Sequence, residues 1–449
     1  MHFFTPQVFN LHSADGKAAC EFPVLYYLTA LCYHAFNQHE FILRLITILI
    51  ASIGFLHLFQ LLKNRFDSFT HAFIFSFVFI SSTVMLYYTN NFLPDASALG
   101  FTFIGTFLFF KFVDNKNNKR ILYMCFAFYT LASLLKVTYF INPVTAFISI
   151  LIYGNPKKNG LISTLKNNTL LLKVFALATI TVLSWNLYVS YYNNINNDHY
   201  FLIRPMPVWL MSKPQIYEVV DYIFNFWFSK YYYPTTFHLF FILTAAGIFF
   251  IKKSDRIILI PGIILAIGSL CYMLLFFSQF KDHDYYFITL IPAIVLINAS
   301  SFITLKNKFP RLINNWITKL LFLTICFLSL NYAKAKLMQR YTNSHDQFSE
   351  TGFQLVNAKQ FLDSLNIPSD AKIIIIKDQT PNGGLYFINR QGWNIKDTTA
   401  ANAGLLKTYI NQGADYILLT DKNFVLKTIN GLKIGTSDNL VLYKLNNSN

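Results

Sequence analysis

The 449-residue chain is poor in charge and in the local motifs of soluble enzymes. Charged residues make up 13% of it, whereas an ordinary soluble domain carries about 25%. Its five cysteines are scattered without metal-ligand spacing, so the sequence specifies neither a zinc site nor a disulfide framework. Residues 336–449 also have no phosphate-binding loop, nucleophile elbow or metal-ligand spacing. These absences leave that segment without a local motif of a soluble enzyme.

Apolar and aromatic residues are abundant instead. Hydrophobic residues make up 54% of the chain, which includes 48 Phe and 27 Tyr, and the mean hydropathy is +0.40. Aromatic rings in such excess are typical of proteins in contact with lipid and its interface. The net charge of +16 is explained by the basic loops of a membrane protein, so it does not indicate a nucleic-acid partner.

Ten apolar segments approach the length of about 20 mostly apolar residues that a membrane-spanning helix needs. They are predicted at residues 43–62, 69–88, 96–113, 120–136, 138–153, 169–191, 236–251, 257–278, 286–304 and 317–334. The sequence therefore predicts a polytopic α-helical membrane protein with about ten spans.

The loops between these segments alternate in charge. Sixteen basic residues fall in one alternate set of loops, and five fall in the other set, at Lys136, Arg204, Lys213, Lys230 and Lys281. Because cytoplasmic loops carry the excess of basic residues, we expect the second set to face outward. We predict a multi-pass protein of a bacterial cytoplasmic (inner) membrane, with the stretch NNFLPD and the long loop 192–235 on the outer face.

The composition changes after about residue 335 and predicts a small α/β domain outside the membrane. Its predicted elements are helices at 352–366, 383–391 and 402–412 and strands at 371–376, 416–420 and 440–445. The predicted organisation is an external loop at 1–40 with an interfacial helix, a transmembrane domain at 41–335 and a periplasmic α/β domain at 336–449. We expect the last domain to be a structural or acceptor-docking cap.

Two carboxylates lie near the predicted outer boundary of the membrane. Asp95, in NNFLPDASALG, directly precedes a predicted helix, so one interpretation is a helix cap whose charge the helix dipole favours. The other is an outward-facing base or ligand, and the two are compatible. Glu21, in GKAACEFPVLYYL, is either a first-turn acid on an interfacial helix or a group that lines an external cavity.

Several cations and polar groups share this predicted face. Lys136, in the apolar stretch SLLKVTYFINP, either extends its side chain to the interface or binds a lipid phosphate. The loop 281–286, KDHDYY, concentrates titratable groups but lacks the His-x-x-His spacing of a metal site. Arg204 lies in an aromatic segment that either covers a cavity or lies on the interface. The candidate substrate-binding residues are Lys136, Lys281, His283, Asp284, Tyr285 and Arg204.

The order of these motifs resembles the GT-C superfamily of membrane glycosyltransferases, in particular the protein mannosyltransferase and aminoarabinose transferase-like group (glycosyltransferase family 39-like). GKAACEFPVLYYL followed by EFILRLITIL is similar to the first external loop and second span of that group. NNFLPDASAL is similar to a later external loop whose acid precedes a span. SLLKVTYFINP is similar to the "LTKG" stretch, with Lys136 as its lysine and Val137 in place of glycine. KDHDYYFITLIPAIVLI is similar to the late "HYY…P" loop and span.

The resemblance implies a GT-C fold, a sugar donor linked to a polyprenyl phosphate, and a lipid, glycan or protein acceptor, with membrane lipids as further partners. It implies catalytic roles for Asp95 and Glu21 and substrate-binding roles for the six residues named above. It implies no certain cofactor, because the sequence does not specify a divalent metal ion.

One departure from the family concerns the N-terminus. The family has a first span followed by an external acidic motif that usually supplies the catalytic base, and this sequence begins after that point. Ten spans also place both ends of the chain outside, and the sequence has no signal peptide to carry the N-terminus there. We expect a longer natural chain, because an added first span would account for both observations. The alternatives are an inactive chain, or a base supplied by another acid such as Asp15 or Glu21.

The leading hypothesis is a glycosyltransferase in which a carboxylate acts as base on an acceptor hydroxyl while the lipid phosphate leaves. A transporter or flippase of lipid-linked glycans is the second hypothesis; it predicts charges spread through the spans, and the lack of clear repeated halves disfavours it. A non-catalytic homologue is the third.

Overall fold

The computed structural model describes residues 3–12, 14–115, 118–154, 161–198, 205–342, 352–380, 382–396, 403–422 and 431–445. The chain divides into two compact units. We call Glu21–Leu187 with Ile203–Arg340 the helical unit, and Met1–Cys20 with Tyr188–Leu202 and Tyr341–Asn449 the α/β unit. The domain boundaries after residues 40 and 335 stay predictions.

Helices make up almost all of the described chain between residues 21 and 342. They are α1 (Val24–Phe36), α2 (Phe41–Phe66), α3 (Phe69–Ile80), α4 (Thr83–Thr89), α5 (Asp95–Asp114), α6 (Lys119–Leu135), α7 (Ile141–Gly154), α8 (Leu161–Asn167), α9 (Thr169–Ile195), α10 (Lys213–Tyr222), α11 (Phe228–Tyr231), α12 (Pro234–Phe249), α13 (Arg256–Leu275), α14 (Gln279–Asp282), α15 (Ile291–Lys308), α16 (Pro310–Ile313) and α17 (Trp316–Thr342). Between them lie 3₁₀ segments at Val137–Phe140, Val208–Leu210, Ile251–Lys253 and Asp284–Leu290 and a π-helical turn at Ile223–Trp227.

Each of the ten predicted spans contains a helix. Among the described residues, seven helical segments are long and apolar enough to cross a membrane, or eight if a bent pair counts as one span. α6 and α12 are shorter, at 17 and 16 residues. The prediction of a polytopic helical membrane protein is confirmed, with an approximate number of spans. The predicted interfacial segment near the N-terminus forms α1, whose position at an interface stays a prediction.

The span predicted at 69–88 is broken into α3 and α4, whose axes are bent by 79°. Two adjacent serines cause the break. Ser81 donates its hydroxyl to the carbonyl of Val78, and the hydroxyl of Ser82 accepts a bond from the amide of Met85. Serine competes with the helical backbone in this way and is favoured at helix caps. α4 carries Tyr88 near its end, and the hydroxyl of Tyr88 donates a hydrogen bond to Asp284.

α5 is one of the two most deeply buried candidate spans among the described residues, together with Asp284–Lys308. It crosses α2 at two glycines: a Cβ atom on Gly54 would lie 2.4 Å from the Cα of Gly100. On another side, a Cβ on Gly105 would lie 2.7 Å from the ring of Tyr129 in α6. Small residues at such crossings let membrane helices approach closely, because packing rather than the hydrophobic effect holds them together in lipid. This packing fixes the start of α5, at Asp95.

The α/β unit contains a five-stranded sheet in the order β2-β1-β3-β5-β4. Its strands are β1 (Ile373–Ile376), β2 (Gly392–Ile395), β3 (Tyr416–Leu419), β4 (Gly431–Ser437) and β5 (Leu440–Leu445). β2, β1 and β3 are parallel, and β5 is antiparallel to β3 and β4. Its helices are α18 (Ala358–Ser364), α19 (Gly383–Ile388) and α20 (Ala403–Asn411). The predicted small α/β domain is confirmed, and β2 and β4 are additions to it.

The first residues of the chain belong to this sheet. The amide of Gly392 donates to the carbonyl of Phe9, and the amide of Leu11 donates to the carbonyl of Gly392. Asn193 exchanges two hydrogen bonds with the backbone of Ala19. Residues 9–11 thus pair with Gly392, the first residue of the edge strand β2, and use backbone groups that an edge strand would otherwise leave unpaired.

Candidate active site

Asp95 and Lys136 form a buried ion pair. Asp95 opens α5, and its side chain is completely buried. Lys136 follows the last residue of α6 in an extended conformation, with 12% of its side chain exposed. The Nζ atom of Lys136 lies 3.4 Å from Oδ1 and 3.5 Å from Oδ2 of Asp95. Two residues that the sequence marked separately therefore form one charged pair.

The helix-cap interpretation of Asp95 is wrong by one residue. The cap position before α5 is occupied by Pro94, and Asp95 is the first residue of the helix itself. Its carboxylate faces Lys136. A carboxylate in the first helical turn is still favoured by the helix dipole, so that part of the interpretation holds.

Two aromatic rings cover the other side of the Lys136 ammonium. Its Nζ atom lies 4.7 Å from the ring centre of Tyr285 and 5.4 Å from that of Tyr286. A cation over an aromatic face is attracted by the ring quadrupole, most strongly where water is excluded. The ammonium thus has a carboxylate on one side and two ring faces on the other. We call Asp95, Lys136, Tyr285 and Tyr286 the lysine cluster.

Glu21 lies next to the lysine cluster. The amide of Phe22 donates to the carbonyl of Leu134, two residues before Lys136, and the ring centre of Phe22 lies 5.0 Å from that of Trp185. Glu21 is half-buried and interacts electrostatically with both Asp95 and Lys136. It is therefore a second carboxylate whose charge acts on the same ion pair, and it is more accessible than Asp95.

The carboxylate of Asp284 binds two other side chains. Its Oδ1 accepts a hydrogen bond of 2.8 Å from the hydroxyl of Tyr88, and its Oδ2 lies 2.7 Å from Nη1 of Arg340. Its side chain is 3% exposed. Sequence analysis missed Tyr88 and Arg340, because Tyr88 lies near the end of α4 and Arg340 near the end of α17, both far from Asp284 along the chain. We call Tyr88, Asp284 and Arg340 the arginine cluster.

His283 packs against the two tyrosine rings of the lysine cluster. Its ring centre lies 5.3 Å from that of Tyr285 and 5.8 Å from that of Tyr286. Burial lowers its pKa below the ordinary value, and the charge of Asp282 opposes that shift. A neutral imidazole at pH 7 follows from the lowered pKa, so His283 supplies a hydrogen-bonding group rather than a fixed positive charge.

Lys281 has a different partner from the rest of its loop. Its ammonium lies 2.7 Å from a carboxylate oxygen of Glu218 in α10, and its carbonyl accepts a hydrogen bond from the indole of Trp227. These groups border a cavity of about 280 Å³. The cavity is lined by Pro205, Met206, Pro207, Leu210, Met211, Gln215, Glu218, Val219, Ser278, Lys281 and Asp282. Of the residues in this loop, His283 and Tyr285 therefore lie near Lys136, whereas the ammonium of Lys281 pairs with Glu218.

Arg204 lies outside the described residues. Within the described part of the chain, no group of three or more His, Cys, Asp and Glu side chains is arranged to hold a metal ion. The substrate-binding roles of the sequence-predicted residues stay predictions.

Comparison with known proteins bears on the fold and the family. Residues 18–185 match the family model described as dolichyl-phosphate-mannose-protein mannosyltransferase. This range contains Glu21, Asp95 and Lys136, but not the loop 281–286. No curated protein matches the chain.

Two solved structures of ArnT from Cupriavidus metallidurans are similar over nearly the whole chain. The apo structure is 12% identical in sequence, with a TM-score of 0.56, and the match covers 94% of this chain and 87% of that one. The structure bound to undecaprenyl phosphate is also 12% identical, with a TM-score of 0.59 and coverage of 99% and 90%. At this identity the likeness shows the fold.

The chain is thus a multi-span membrane protein with the fold of ArnT and a small α/β unit. The family model matches residues 18–185, and the fold is similar to that of ArnT; both findings support the predicted GT-C superfamily. The predicted fold class is confirmed.

Proposed function

We propose that the chain transfers a sugar from a polyprenyl-phosphate-linked donor to a lipid, glycan or protein acceptor on the outer face of a bacterial cytoplasmic membrane. The observation that carries the proposal is the lysine cluster, in which a buried cation lies at the start of a span in a GT-C fold. The solved ArnT complex with undecaprenyl phosphate supports the choice of donor class. The basic residues concentrated in the other set of loops support the outer face.

Lys136 would serve the leaving group in this reaction. As the acceptor oxygen bonds to the sugar carbon, the bond to the lipid phosphate breaks and the phosphate gains negative charge. A fixed cation in a water-poor site stabilises developing charge more strongly than a cation in water. Asp95 would hold the ammonium in place, since it is completely buried and paired with it.

Glu21 would accept the proton of the acceptor hydroxyl. It lies beside the same ammonium but is only half-buried, so an acceptor can reach it more readily than Asp95. A carboxylate within hydrogen-bond reach of the hydroxyl is a suitable general base. His283, with its pKa lowered by burial, would contribute a neutral donor to the phosphate.

The proposal is tested by transfer from undecaprenyl-phosphate-linked sugars to lipid acceptors, with the full chain in nanodiscs. We expect Lys136→Met and Glu21→Gln each to reduce turnover by at least about 100-fold, the range of a lost electrostatic or general-base contribution. Glu40→Gln is the matched control for Glu21→Gln, because Glu40 is exposed just before α2; its turnover should equal that of the wild type.

Binding of undecaprenyl phosphate is measured in parallel. We expect the wild type to bind it and Lys136→Met to bind it more weakly. Wild-type turnover by both Lys136→Met and Glu21→Gln would refute the assigned roles. Uptake of the lipid-linked sugar into sealed vesicles without transfer would refute the reaction and favour the transporter hypothesis instead.

A further inference from the structure

We propose that Arg340 is a positioning residue, which acts through Asp284 to hold Tyr285 and Tyr286 against the ammonium of Lys136. This inference gives a role to the arginine cluster and rests on the proposed function for its catalytic consequence. Its structural part, the control of Lys136 by Arg340, is tested separately from any activity.

Arg340 is held in a defined position by three groups. Its guanidinium lies 2.7 Å from Asp284 Oδ2, and its Cζ atom lies 3.6 Å from the ring centre of Tyr87 and 5.4 Å from that of Tyr88. The planar guanidinium can pair with a carboxylate and stack on a ring at the same time, which a lysine ammonium cannot reproduce. This arrangement fixes the end of α17 against the end of α4.

Asp284 transmits that position to the rings beside Lys136. It is the first residue of the 3₁₀ segment Asp284–Leu290, and Tyr285 and Tyr286 follow it directly. The backbone of the segment is therefore anchored, by the carboxylate of Asp284, at the point from which both rings project. The ring of Tyr88 adds a second contact, since its centre lies 5.4 Å from that of Tyr285 at an interplanar angle of 71°.

The burial of the carboxylate makes this anchor strong. Asp284 is 3% exposed at the side chain, whereas Arg340 is 28% exposed. Removal of one partner of a buried pair leaves an uncompensated charge, which is far costlier than loss of a surface pair. A segment with an uncompensated Asp284 would shift to bring that carboxylate to water, and the rings of Tyr285 and Tyr286 would move with it.

The test measures the reactivity of Lys136 with a water-soluble amine-reactive reagent, followed by mass spectrometry of the labelled peptide. We expect Arg340→Met to raise the labelling rate of Lys136 by about tenfold, because a side chain now 12% exposed loses its ring cover. Arg340→Lys should give an intermediate rate, since it restores the charge without the planar fork.

The chain offers a matched control in a second arginine–aspartate pair. Arg65 in α2 lies 2.9 Å from Asp114, and its Cζ atom lies 4.6 Å from the ring of Phe110. Asp114 is the last residue of α5, which begins at Asp95, so this pair lies about 30 Å from the lysine cluster. Arg65→Met should leave the labelling of Lys136 at the wild-type rate. A variant with reduced thermal stability but unchanged labelling at Lys136 would count against the proposal.

A variant cycle tests whether Arg340 acts through the rings of Tyr285 and Tyr286. In turnover of undecaprenyl-phosphate-linked sugar, Arg340→Met alone should cost about tenfold, because small displacements of catalytic groups reduce rates strongly. In a background that carries both Tyr285→Leu and Tyr286→Leu, the same substitution should cost less than about twofold, since coupled residues are not additive. A tenfold cost of Arg340→Met in that background would overturn the assignment.

The two arms separate the inference from the proposed function. Unchanged labelling of Lys136 in Arg340→Met refutes the positioning role, whatever the turnover. Increased labelling with unchanged turnover supports the positioning role and refutes the part that Lys136 plays in the proposed reaction.

Discussion

Neutralising Asp95 with Asp95→Asn would leave the ammonium of Lys136 buried without its counter-charge. The two charges lie 3.4 Å apart, and Asp95 is completely buried. At an effective dielectric constant of about 20, two unit charges at this distance attract by about 5 kcal/mol. Measured losses on breaking a buried pair are roughly 3–5 kcal/mol. We therefore expect Asp95→Asn to lower the free energy of unfolding by about 3–5 kcal/mol.

Lys136→Met should have a similar effect, because it leaves the Asp95 carboxylate buried alone. The double variant should lose much less free energy of unfolding than the sum of the losses in the two single variants. Replacing both members of a buried pair removes the attraction and the cost of desolvation together, and is often close to neutral. We expect a coupling energy of at least about 2 kcal/mol.

Reversible unfolding in mixed detergent micelles, followed by titration with SDS, measures these free energies. The control is Asp114→Asn in the Arg65–Asp114 pair, where Asp114 is 55% exposed; an ion pair so exposed contributes at most about 1 kcal/mol. Additive losses in the Asp95 and Lys136 single and double variants would refute the ion pair, since uncoupled residues add. Equal losses for Asp95→Asn and Asp114→Asn would contradict the argument from burial.

Three further predictions concern packing, charge and the α/β unit. Gly100→Ala should destabilise the chain by roughly 1–3 kcal/mol in the same titration, because its Cβ would lie 2.7 Å from a backbone carbonyl, whereas Gly268→Ala, with contacts at 3.5 Å, should be tolerated. Burial lowers the pKa of Lys230 from 10.5 to about 8, so between these pH values the unfolded chain binds more protons than the folded chain. The stability of the wild type relative to Lys230→Met should therefore rise as the pH increases from 8 to 10.5. Thermal melts measure it, and a melting temperature of the wild type that falls relative to Lys230→Met over this range would contradict the shift. Asp378→Asn should cost about 1–3 kcal/mol, because an amide nitrogen placed where Asp378 Oδ2 accepts from the amide of Gly384 leaves that donor only the hydroxyl of Thr380 as an acceptor. Hydrogen exchange of the full chain should show faster exchange in this segment than in the wild type.

The spans could be predicted because length and apolar content are local properties of the sequence. Each predicted segment contains a helix, and the strands IIII and YILL were found from their unbroken β-branched and aliphatic runs. The bend between α3 and α4 was missed, although the adjacent Ser81 and Ser82 offered a signal for it. β2 was missed because the predicted helix ran to residue 391, whereas α19 ends at Ile388 with a left-handed Asn389.

The candidate site was predictable where a residue stood out from its surroundings. Lys136 was visible as a cation in an apolar stretch, and Asp95 as an acid at the edge of one. Arg340 was not visible, because it follows other basic residues near the end of a span and nothing local marks it. Its partner Asp284 lies 56 positions away, so only the packing of α17 against the 3₁₀ segment reveals the pair. Long-range partners of this kind cannot be read from local pattern.

The geometry of the lysine cluster suits a cation that binds an anion and then releases it. Charge-assisted N–H···O bonds are usually about 2.7–2.9 Å long, and both distances from Lys136 to Asp95 are longer, at 3.4 and 3.5 Å. The faces of Tyr285 and Tyr286 attract the ammonium without accepting directed hydrogen bonds as a second carboxylate would. The charge is thereby compensated, while the ammonium keeps donor capacity for a phosphate oxygen. A tighter carboxylate would compete with the phosphate, and a bare apolar pocket would favour the neutral amine.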